Sequence, residues 1–554
     1  MRVLSAVGMS MEHGSRAKVT HRARDMLHAP HESIMVGVHR QVHTNRNPQR
    51  SELRGIHIQI TVPLGAWRSP RVAHPLWTFY CLICPVNSAA VHLRVCTQAG
   101  HVPPFYGVFP FHSFVRIPKK PFPYAEMLTP HALGVHNVLK YVRPWLHPLL
   151  DAPSRYRLAR AVNIADLREC ARRRAHKMVF DYMDGCAEDE IAFRWSRESY
   201  ANYELHYNVL AGKQQPIDLS TSIVGAPVGV PFFCAPCAGH RMFHHEGEEA
   251  VAKAASKYGA LFCLSSLATT SMEDVAAQHS GPKLMQLYLW KDRALVRDVV
   301  QRAREAGYHA LALTADTAWF GNRERDPRNG FSVPPNYTPR QVWHALNAPS
   351  WSLDLLSHPP YKYEIVGDER PAEDIGSYFA NLVSKDYSWD DAEWLLGEWG
   401  GPTLLKGVVR PDDAKRAFAL GFDAVWISNH GGRQLETSPA PLDVLPAIRE
   451  AVGPDAQLVL DGGVQRGTDV VKALALGANA VGVGKAYLYG LAAGGAAGAT
   501  KALDILHRET ELAMGLLGVG SVVELRRRGP ELVRRRSKCQ PCASPSGHGG
   551  VNIR

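Results

Sequence analysis

From about residue 228 the sequence repeats one pattern, in which a short apolar run is followed by a turn and an amphipathic stretch. The predicted strands are Val230–Ala235, Ala260–Ser265, Leu284–Leu289, Ala310–Ala315, Thr403–Gly407, Ala424–Ser428, Gln457–Leu460 and Ala480–Gly484. The predicted helices between them include Glu248–Tyr258, Ala294–Ala306, Pro411–Leu420 and Thr468–Leu476. Alternating strands and helices indicate a parallel sheet. About eight units of this size predict an α/β fold, the (β/α)8 TIM barrel.

An open, doubly wound sheet is the alternative fold, but no Gly-x-Gly-x-x-Gly follows an early strand, as its nucleotide site would require. The connection after the fourth predicted strand, Thr317 to Thr403, is much longer than the others. Long insertions in compact domains are usually lids or binding loops. This connection is therefore predicted to overhang the face where barrels place their active sites.

The segments that flank the barrel have a different composition. Residues 1–155 are rich in His, Arg and Pro without sustained periodicity, which predicts a disordered extension or a stretch outside the core. At Asn163, a plausible helix cap, a helical pattern begins that runs to Gly185, and a second helix follows over Glu188 to Ser199. We therefore expect the barrel domain to span residues 156–525 and residues 526–554 to form a disordered basic tail.

The net charge of +11 belongs to the two ends of the chain. Residues 1–155 carry +12 and residues 526–554 carry +7, so the central part is acidic and no nucleic-acid partner is expected. No apolar run approaches the ~20 residues of a membrane helix. We predict a cytoplasmic location, with peripheral membrane association left open.

Three Cys-x-x-Cys pairs occur, Cys81/Cys84, Cys234/Cys237 and Cys539/Cys542. The outer two could share a zinc ion, but they are far apart and lie outside regular ligand-bearing turns, so no metal site is predicted. Nothing resembles a disulfide framework, which favours a reducing compartment.

Polar residues recur where the predicted strands end, and a barrel gathers those ends around one ligand. The sixth strand ends in Ser428-Asn429-His430-Gly431-Gly432-Arg433-Gln434. Its His can take a proton near neutral pH, and its Arg can hold a carboxylate through two parallel hydrogen bonds. This pair predicts proton removal from a small organic acid. The glycines in Asp461-Gly462-Gly463 and Gly482-Val483-Gly484-Lys485 indicate a phosphate site after the last two strands.

Over residues 161–525 the chain resembles the FMN-dependent α-hydroxy-acid oxidases and dehydrogenases, which include glycolate oxidase, flavin-type L-lactate dehydrogenase and mandelate dehydrogenase. The motifs that carry the resemblance are the Ser428–Leu435 segment, Asp461-Gly462-Gly463, Leu313-Thr314-Ala315-Asp316-Thr317 and Met285-Gln286-Leu287-Tyr288. The first motif is highly specific. The resemblance implies an FMN-dependent enzyme that oxidises a small L-2-hydroxy acid, lactate- or glycolate-like, to the 2-oxo acid.

By this resemblance, His430 is the base, Asp316 stabilises its charged form, Tyr288 binds the substrate hydroxyl and Lys406 lies by the flavin. The implied carboxylate-binding residues are Arg433, Arg323 and Tyr182. The implied FMN-binding residues are Pro236, Cys237, Ala238, Ser265, Gln286, Thr314, Lys406, Ser428, Asp461, Gly463, Gln465, Gly484 and Lys485. The resemblance also implies a homotetramer or larger oligomer, and an electron acceptor that is oxygen, a quinone or a cytochrome.

Two positions depart from the family pattern, since relatives usually carry Arg where this chain has Gln465 and Lys485. A charge-assisted hydrogen bond contributes about 1.5–3 kcal/mol, so we expect weaker FMN retention. Some relatives carry an aromatic residue at the position of Leu267, and the leucine favours a small or aliphatic substrate substituent here.

Two alternative functions are considered. One is a flavin barrel with another substrate or a non-redox isomerase activity, and the other is a binding protein that uses its basic ends.

Overall fold

The computed structural model describes residues 57–61, 77–82, 93–97, 135–212, 215–331, 338–366 and 382–536. The chain divides into two compact units, residues 1–121 and 122–554. In the first unit, β1 (His57–Thr61), β2 (Trp77–Leu82) and β3 (Leu93–Thr97) form an antiparallel sheet in that order. The sequence predicted no regular structure here, because runs this short give no measurable period.

The second unit begins with α1 (Val135–Arg160), which crosses the predicted domain boundary at residue 155. Its buried side chains Asp151, Ser154 and Leu158 place this helix in the packed unit, so the extension ends earlier than predicted. The pattern from Asn163 to Gly185 forms two helices, α2 (Ile164–Arg174) and α3 (Lys177–Asp184). Asn163 caps α2 as predicted, whereas the extended backbone at Ala175 interrupts the helix. Next come α4 (Ile191–Glu198), a 3-10 turn (Ser199–Asn202), and the short strands β4 (Tyr203–Leu205), β5 (Thr221–Ile223) and β6 (Ala226–Val228).

Eight parallel strands form a closed barrel, as predicted. The strands are β7 (Phe232–Cys234), β8 (Phe262–Leu264), β9 (Lys283–Leu287), β10 (Ala310–Thr314), β11 (Thr403–Val408), β12 (Ala424–Ile427), β13 (Gln457–Leu460) and β14 (Ala480–Val483). Each pairs with the next in sequence, and β14 closes onto β7. Inside, Trp426 meets Phe233 edge to face with ring centroids 5.0 Å apart. A filled barrel leaves only its ends for ligands.

The remaining helices follow the strands and pack outside them. In chain order they are α5 (His240–Phe243), α6 (Gly247–Lys257), α7 (Met272–Gln278), α8 (Arg293–Glu305), α9 (Arg325–Arg328), α10 (Pro339–Leu346), α11 (Pro349–Leu356), α12 (Trp389–Trp399), α13 (Pro411–Leu420), α14 (Pro441–Val452), α15 (Gly467–Ala475), α16 (Lys485–Leu517) and α17 (Val522–Leu532). The long connection after β10 therefore contains α9, α10 and α11 before the helix α12 that leads to β11. None of the described helices combines the length and apolarity needed to cross a membrane.

The predicted start of the basic tail, residue 526, lies within the folded domain. Leu525 and Leu532 of α17 are buried, and β15 (Val533–Arg535) pairs antiparallel with β4. The folded domain thus continues to at least residue 535. The arginines of α17 led to the prediction of a disordered tail, because only one face of this amphipathic helix is apolar. Residues 537–554 of the predicted tail, with Cys539 and Cys542, lie outside the described residues.

Candidate active site

A cleft opens at the carboxyl ends of the barrel strands. It brings together nearly all the predicted site residues, although they come from every part of the barrel. Its walls include Tyr182, Pro236, Cys237, Ala238, Ser265, Gln286, Tyr288, Thr314, Arg323, Lys406, His430, Arg433, Asp461, Gly463, Gln465, Gly484 and Lys485. The other two, Asp316 and Ser428, lie directly behind His430 and Lys406.

The His430 imidazole is held from behind by a carboxylate. Its Nδ1 lies 3.0 Å from Asp316 Oδ1, which leaves Nε2 as the nitrogen available for proton transfer. His430 has φ +57°, an uncommon conformation for a residue with a side chain and one that marks functional sites. At the end of β11, Gly407 has φ +101° and would place a Cβ 2.7 Å from Asp316. Glycine there lets the carboxylate approach the strand.

Burial and the neighbouring charges have opposite effects on the pKa values of His430 and Asp316. Burial lowers the pKa of His430, while the Asp316 charge partly offsets that change. Burial alone would raise the pKa of Asp316, but the His430 and Lys406 charges lower it. The pair therefore rests as a neutral imidazole against a carboxylate at neutral pH, which is the state a base needs.

Polar side chains of the same motif fix this turn in place. The Gln434 amide donates to the carbonyls of Asp316 and Trp319, each at 2.7 Å, and accepts from Gly321 N–H. Asn429 accepts from Gly432 N–H at 3.2 Å and donates to Ser196 Oγ. The sequence contained these residues in the motif but did not predict their positioning roles.

Two guanidinium groups, of Arg323 and Arg433, line the same cleft as the His430 base. Arg433 donates to the carbonyls of Tyr182 and Gly185, and its guanidinium lies 5.0 Å from the Tyr182 ring centroid. Burial and the neighbouring Arg433 charge lower the pKa of Arg323. Among the described residues, neither guanidinium is engaged in an ion pair with a carboxylate. Such an arrangement can bind a small carboxylate.

Lys406 lies at the floor of the cleft and is buried. Its ammonium donates to Ser428 Oγ at 2.8 Å and lies 3.4 Å from Asp461 Oδ2. Burial would lower the pKa of Lys406, but the Asp461 and Asp316 charges raise it above its usual value. Lys406 therefore brings a fixed positive charge to the cleft.

The residues present fit the flavin that the resemblance implies. Asp461 Oδ1 is buried without a hydrogen-bond partner beside the cleft, as an acceptor for a ligand hydroxyl would be. Ser265 Oγ donates to Gln286 Oε1 at 3.3 Å, and Gln286 Nε2 donates to Thr314 Oγ1 at 2.9 Å. These polar groups line one wall across three strands, which suits the edge of a heteroaromatic ring.

The end of the cleft that is predicted to hold phosphate, lined by Gln465 and Lys485, carries little free charge; we call it the phosphate end. Lys485 Nζ donates to the Asp184 carbonyl at 2.7 Å and lies 2.8 Å from Cys186 Sγ. Gln465 lines the cleft, whereas its neighbour Arg466 forms an ion pair with Glu509 at 3.1 Å and is 49% exposed. Arg466 therefore does not replace the cation that Gln465 lacks.

Three residues that contact this end were missed by sequence reasoning: Asp184, Cys186 and Phe193. The Asp184 carboxylate accepts two hydrogen bonds from Arg168 and one from Tyr489. Burial would raise the pKa of Asp184, but Arg168, Tyr489 and Lys485 lower it to about 2. The Phe193 ring lies 3.9 Å from Lys485 Nζ. No motif marks these residues, because they reach the cleft only through packing of α3 and α4.

Comparisons with known proteins agree with the geometry. Residues 171–532 match the family described as FMN-dependent dehydrogenase. The chain is 38% identical over 405 residues to a putative L-lactate dehydrogenase of Mycobacterium tuberculosis, covering 72% of this chain and 95% of that protein. It is 40% identical over 368 residues to an L-lactate oxidase of Nostoc sp., covering 66% and 96%. A solved (S)-mandelate dehydrogenase, a monotopic membrane protein, superposes with a TM-score of 0.65 at 32% identity, covering 68% of this chain and 100% of that one.

Proposed function

The chain belongs to the FMN-dependent dehydrogenase family and is an FMN-dependent α-hydroxy-acid oxidoreductase, and within that activity we propose that it oxidises a small L-2-hydroxy acid to the 2-oxo acid. One observation carries the proposal. The His430–Asp316 pair and two guanidiniums free of carboxylate partners among the described residues line one cleft. A base opposite a carboxylate clamp suits an acid whose reacting carbon adjoins its carboxylate.

In the proposed reaction the substrate carboxylate lies between Arg323 and Arg433, with Tyr182 completing the pocket. The two guanidiniums orient the acid so that its hydroxyl meets Tyr288 and His430 Nε2. His430 takes the proton that leaves the substrate, and Asp316 stabilises the imidazolium that forms. A positioned base typically contributes roughly 10²–10⁴-fold to the rate.

When bound, FMN would supply the acceptor for the electron pair and for the second of the two protons that the substrate loses. Lys406 would hold a positive charge beside the ring, where negative charge develops on reduction. Pro236, Cys237, Ala238, Ser265, Gln286 and Thr314 would contact the ring wall, while Ser428 would orient Lys406. Asp461, Gly463, Gln465, Gly484 and Lys485 would hold the ribityl and phosphate groups.

We further propose a lactate- or glycolate-like substrate. Leu267, Phe320 and Tyr288 line the same cleft, and the two apolar side chains favour a methyl group or a hydrogen as the substrate substituent. The electron acceptor is oxygen, a quinone or a cytochrome. We also propose that the protein forms a homotetramer or larger oligomer and is cytoplasmic. Peripheral attachment to a membrane is the alternative location, supported by the similar mandelate dehydrogenase, which is a monotopic membrane protein.

Anaerobic reduction tests the substrate and the chemistry together. The FMN-loaded protein should lose its yellow colour on addition of L-lactate or glycolate, and D-lactate should leave the absorbance unchanged. Peroxide formation in air, compared with dye reduction, would then separate oxygen from other acceptors. Retention of full flavin absorbance with every small L-2-hydroxy acid tried would contradict the proposed substrate class.

A further inference from the structure

A cluster of histidines surrounds one buried aspartate outside the flavin cleft. Asp354 of α11 is 1% exposed, and its carboxylate faces His244 and His245, which follow α5. His245 Nδ1 lies 2.5 Å from Asp354 Oδ1, and His244 Nε2 lies 3.9 Å from Oδ2. One ligand atom from each of these residues lies within 4.8 Å of the other two. We propose that His244, His245 and Asp354 bind a divalent transition-metal ion of the Zn²⁺ class.

Unsatisfied ring nitrogens point to a missing partner. Among the described residues, His147 Nε2 is buried without a hydrogen-bond partner, and the buried His245 Nδ1 has only its short contact with Asp354 Oδ1. A buried polar atom without a partner is costly and requires an explanation. An ion at this place would accept the lone pair of His245.

A third histidine, His358, contacts both the second ligand and the aspartate. The His358 ring stacks on His245 with centroids 3.7 Å apart, and its Nδ1 lies 2.6 Å from the Asp354 carbonyl. This contact holds the orientation of the second ligand, as outer-shell partners of metal-binding histidines do.

The Asp354 oxygens have only long contacts with arginine. Arg143 Nη2 donates a long hydrogen bond of 3.5 Å to Oδ1, and Arg174 Nη2 lies 3.6 Å from Oδ2, whereas a charge-assisted hydrogen bond is typically 2.7–2.9 Å. The His245 backbone N–H donates to Oδ2 at 3.2 Å. Arg174 also lies 3.4 Å from Asp151, and its Nη2 has no hydrogen-bond partner. The Asp354 carboxylate therefore retains lone pairs for an ion, while Asp151 balances part of the arginine charge.

The local backbone leaves space for this cluster. At Gly494 and Gly495 the long helix α16 is kinked, and Gly495 has φ +58°. A Cβ at Gly495 would lie 2.6 Å from His244 Cε1 and closer still to Glu246. A second, polar cavity is lined by His245 and Glu246, which gives an ion a route from solvent.

Binding would require a small adjustment of the ligands. Zinc lies about 2.0–2.1 Å from nitrogen and oxygen ligands, so tetrahedral partners are roughly 3.3 Å apart. His245 Nδ1 and Asp354 Oδ1 lie 2.5 Å apart, so these two atoms would have to separate by about 1 Å. Since Asp354 belongs to the insertion and His244 to the loop after the first barrel strand, the ion would fasten the insertion to the barrel.

Metal content of the full-length, FMN-loaded chain tests the proposal without an activity measurement. After incubation with Zn²⁺ and gel filtration, the wild-type chain should retain one equivalent more than the His245→Asn and His244→Asn variants, measured by plasma mass spectrometry. His206→Asn, which changes a half-exposed histidine elsewhere, is the matched control and should bind as the wild type does. Equal zinc content in all four proteins would overturn the proposal.

Co²⁺ distinguishes this site from the ten cysteines of the chain. Nitrogen and oxygen ligands predict weak visible bands that are lost in His245→Asn, whereas thiolate ligands would add intense charge-transfer bands in the near ultraviolet. We also expect added Zn²⁺ to slow hydrogen exchange of α11 in the wild type and in His206→Asn, but not in His245→Asn. Cobalt bands that are entirely thiolate-derived and survive in His245→Asn would refute the site.

Discussion

The two ends of the flavin cleft are built with different amounts of charge. At the proposed substrate end, Arg323 and Arg433 line the cleft with His430, and no described carboxylate forms an ion pair with them. At the phosphate end, the one cation among the predicted contacts, Lys485, already binds the Asp184 carbonyl and lies against Cys186. The reacting groups tolerate little change, because catalysis depends on how they are placed relative to the substrate. Cofactor anchoring is a sum over many contacts, so a lost one can be offset by others.

The largest effect should follow removal of the base. His430→Asn should lower kcat by roughly 10²–10⁴-fold because no other described group at the substrate end can take the proton from the same position. Stopped-flow reduction of the bound flavin measures this step directly, with FMN content as the check on folding. A loss smaller than ten-fold would show that the substrate end does not depend on His430.

Restoring charge at the phosphate end should produce the next largest effect. Gln465→Arg adds one charge-assisted contact, of about 1.5–3 kcal/mol, and should tighten FMN binding by roughly 10- to 100-fold. Titration of the apoprotein with FMN, followed by flavin fluorescence, gives the dissociation constant. The matched control is Arg466→Gln, which should leave binding unchanged because Arg466 pairs with Glu509. Weaker binding in that control would mean that Arg466 reaches the phosphate after all.

The pH dependence of kcat/KM should further distinguish the two ends of the cleft. Burial lowers the pKa of His430, so kcat/KM should fall with acidity only below about pH 6.5, as the base becomes protonated. Asp316 raises that pKa, so Asp316→Asn should move the acid limb to lower pH. Gln465→Arg, at the other end, should leave the limb in place. An acid limb that moves upward in Asp316→Asn would contradict the assigned pair.

The smallest effect should come from the substrate side-chain pocket. Leu267→Ala opens space beside Tyr288 and should shift the ratio of kcat/KM values toward a larger 2-hydroxy acid by about ten-fold, the lower end of what one packing contact provides. The ratio for 2-hydroxyisocaproate against lactate measures this shift. An unchanged ratio would place the substrate side chain elsewhere in the cleft.

Much of the fold was predictable because the barrel repeats one local unit. The strand Gln457–Leu460 was predicted with its observed bounds, and the other seven differ by a few residues at their ends. Prediction was poorer where a segment lacks a strong period. Helix α17, whose arginines suggested a disordered tail, packs through Leu525 and Leu532. The three short strands of the first unit gave no periodic signal either.

The sequence by itself determined the order of the polar strand ends, from Gln286 through His430 to Lys485. Parallel strands in a closed barrel send all their carboxyl ends to one face, so residues distant in sequence had to meet there. Only the tertiary structure decided which way neighbouring side chains turn. Gln465 faces the cleft while Arg466 pairs outside it, because helix packing sets Glu509 beside Arg466. The meeting of His244 and His245 with Asp354 also depends on how the insertion packs, and no local pattern encodes that contact.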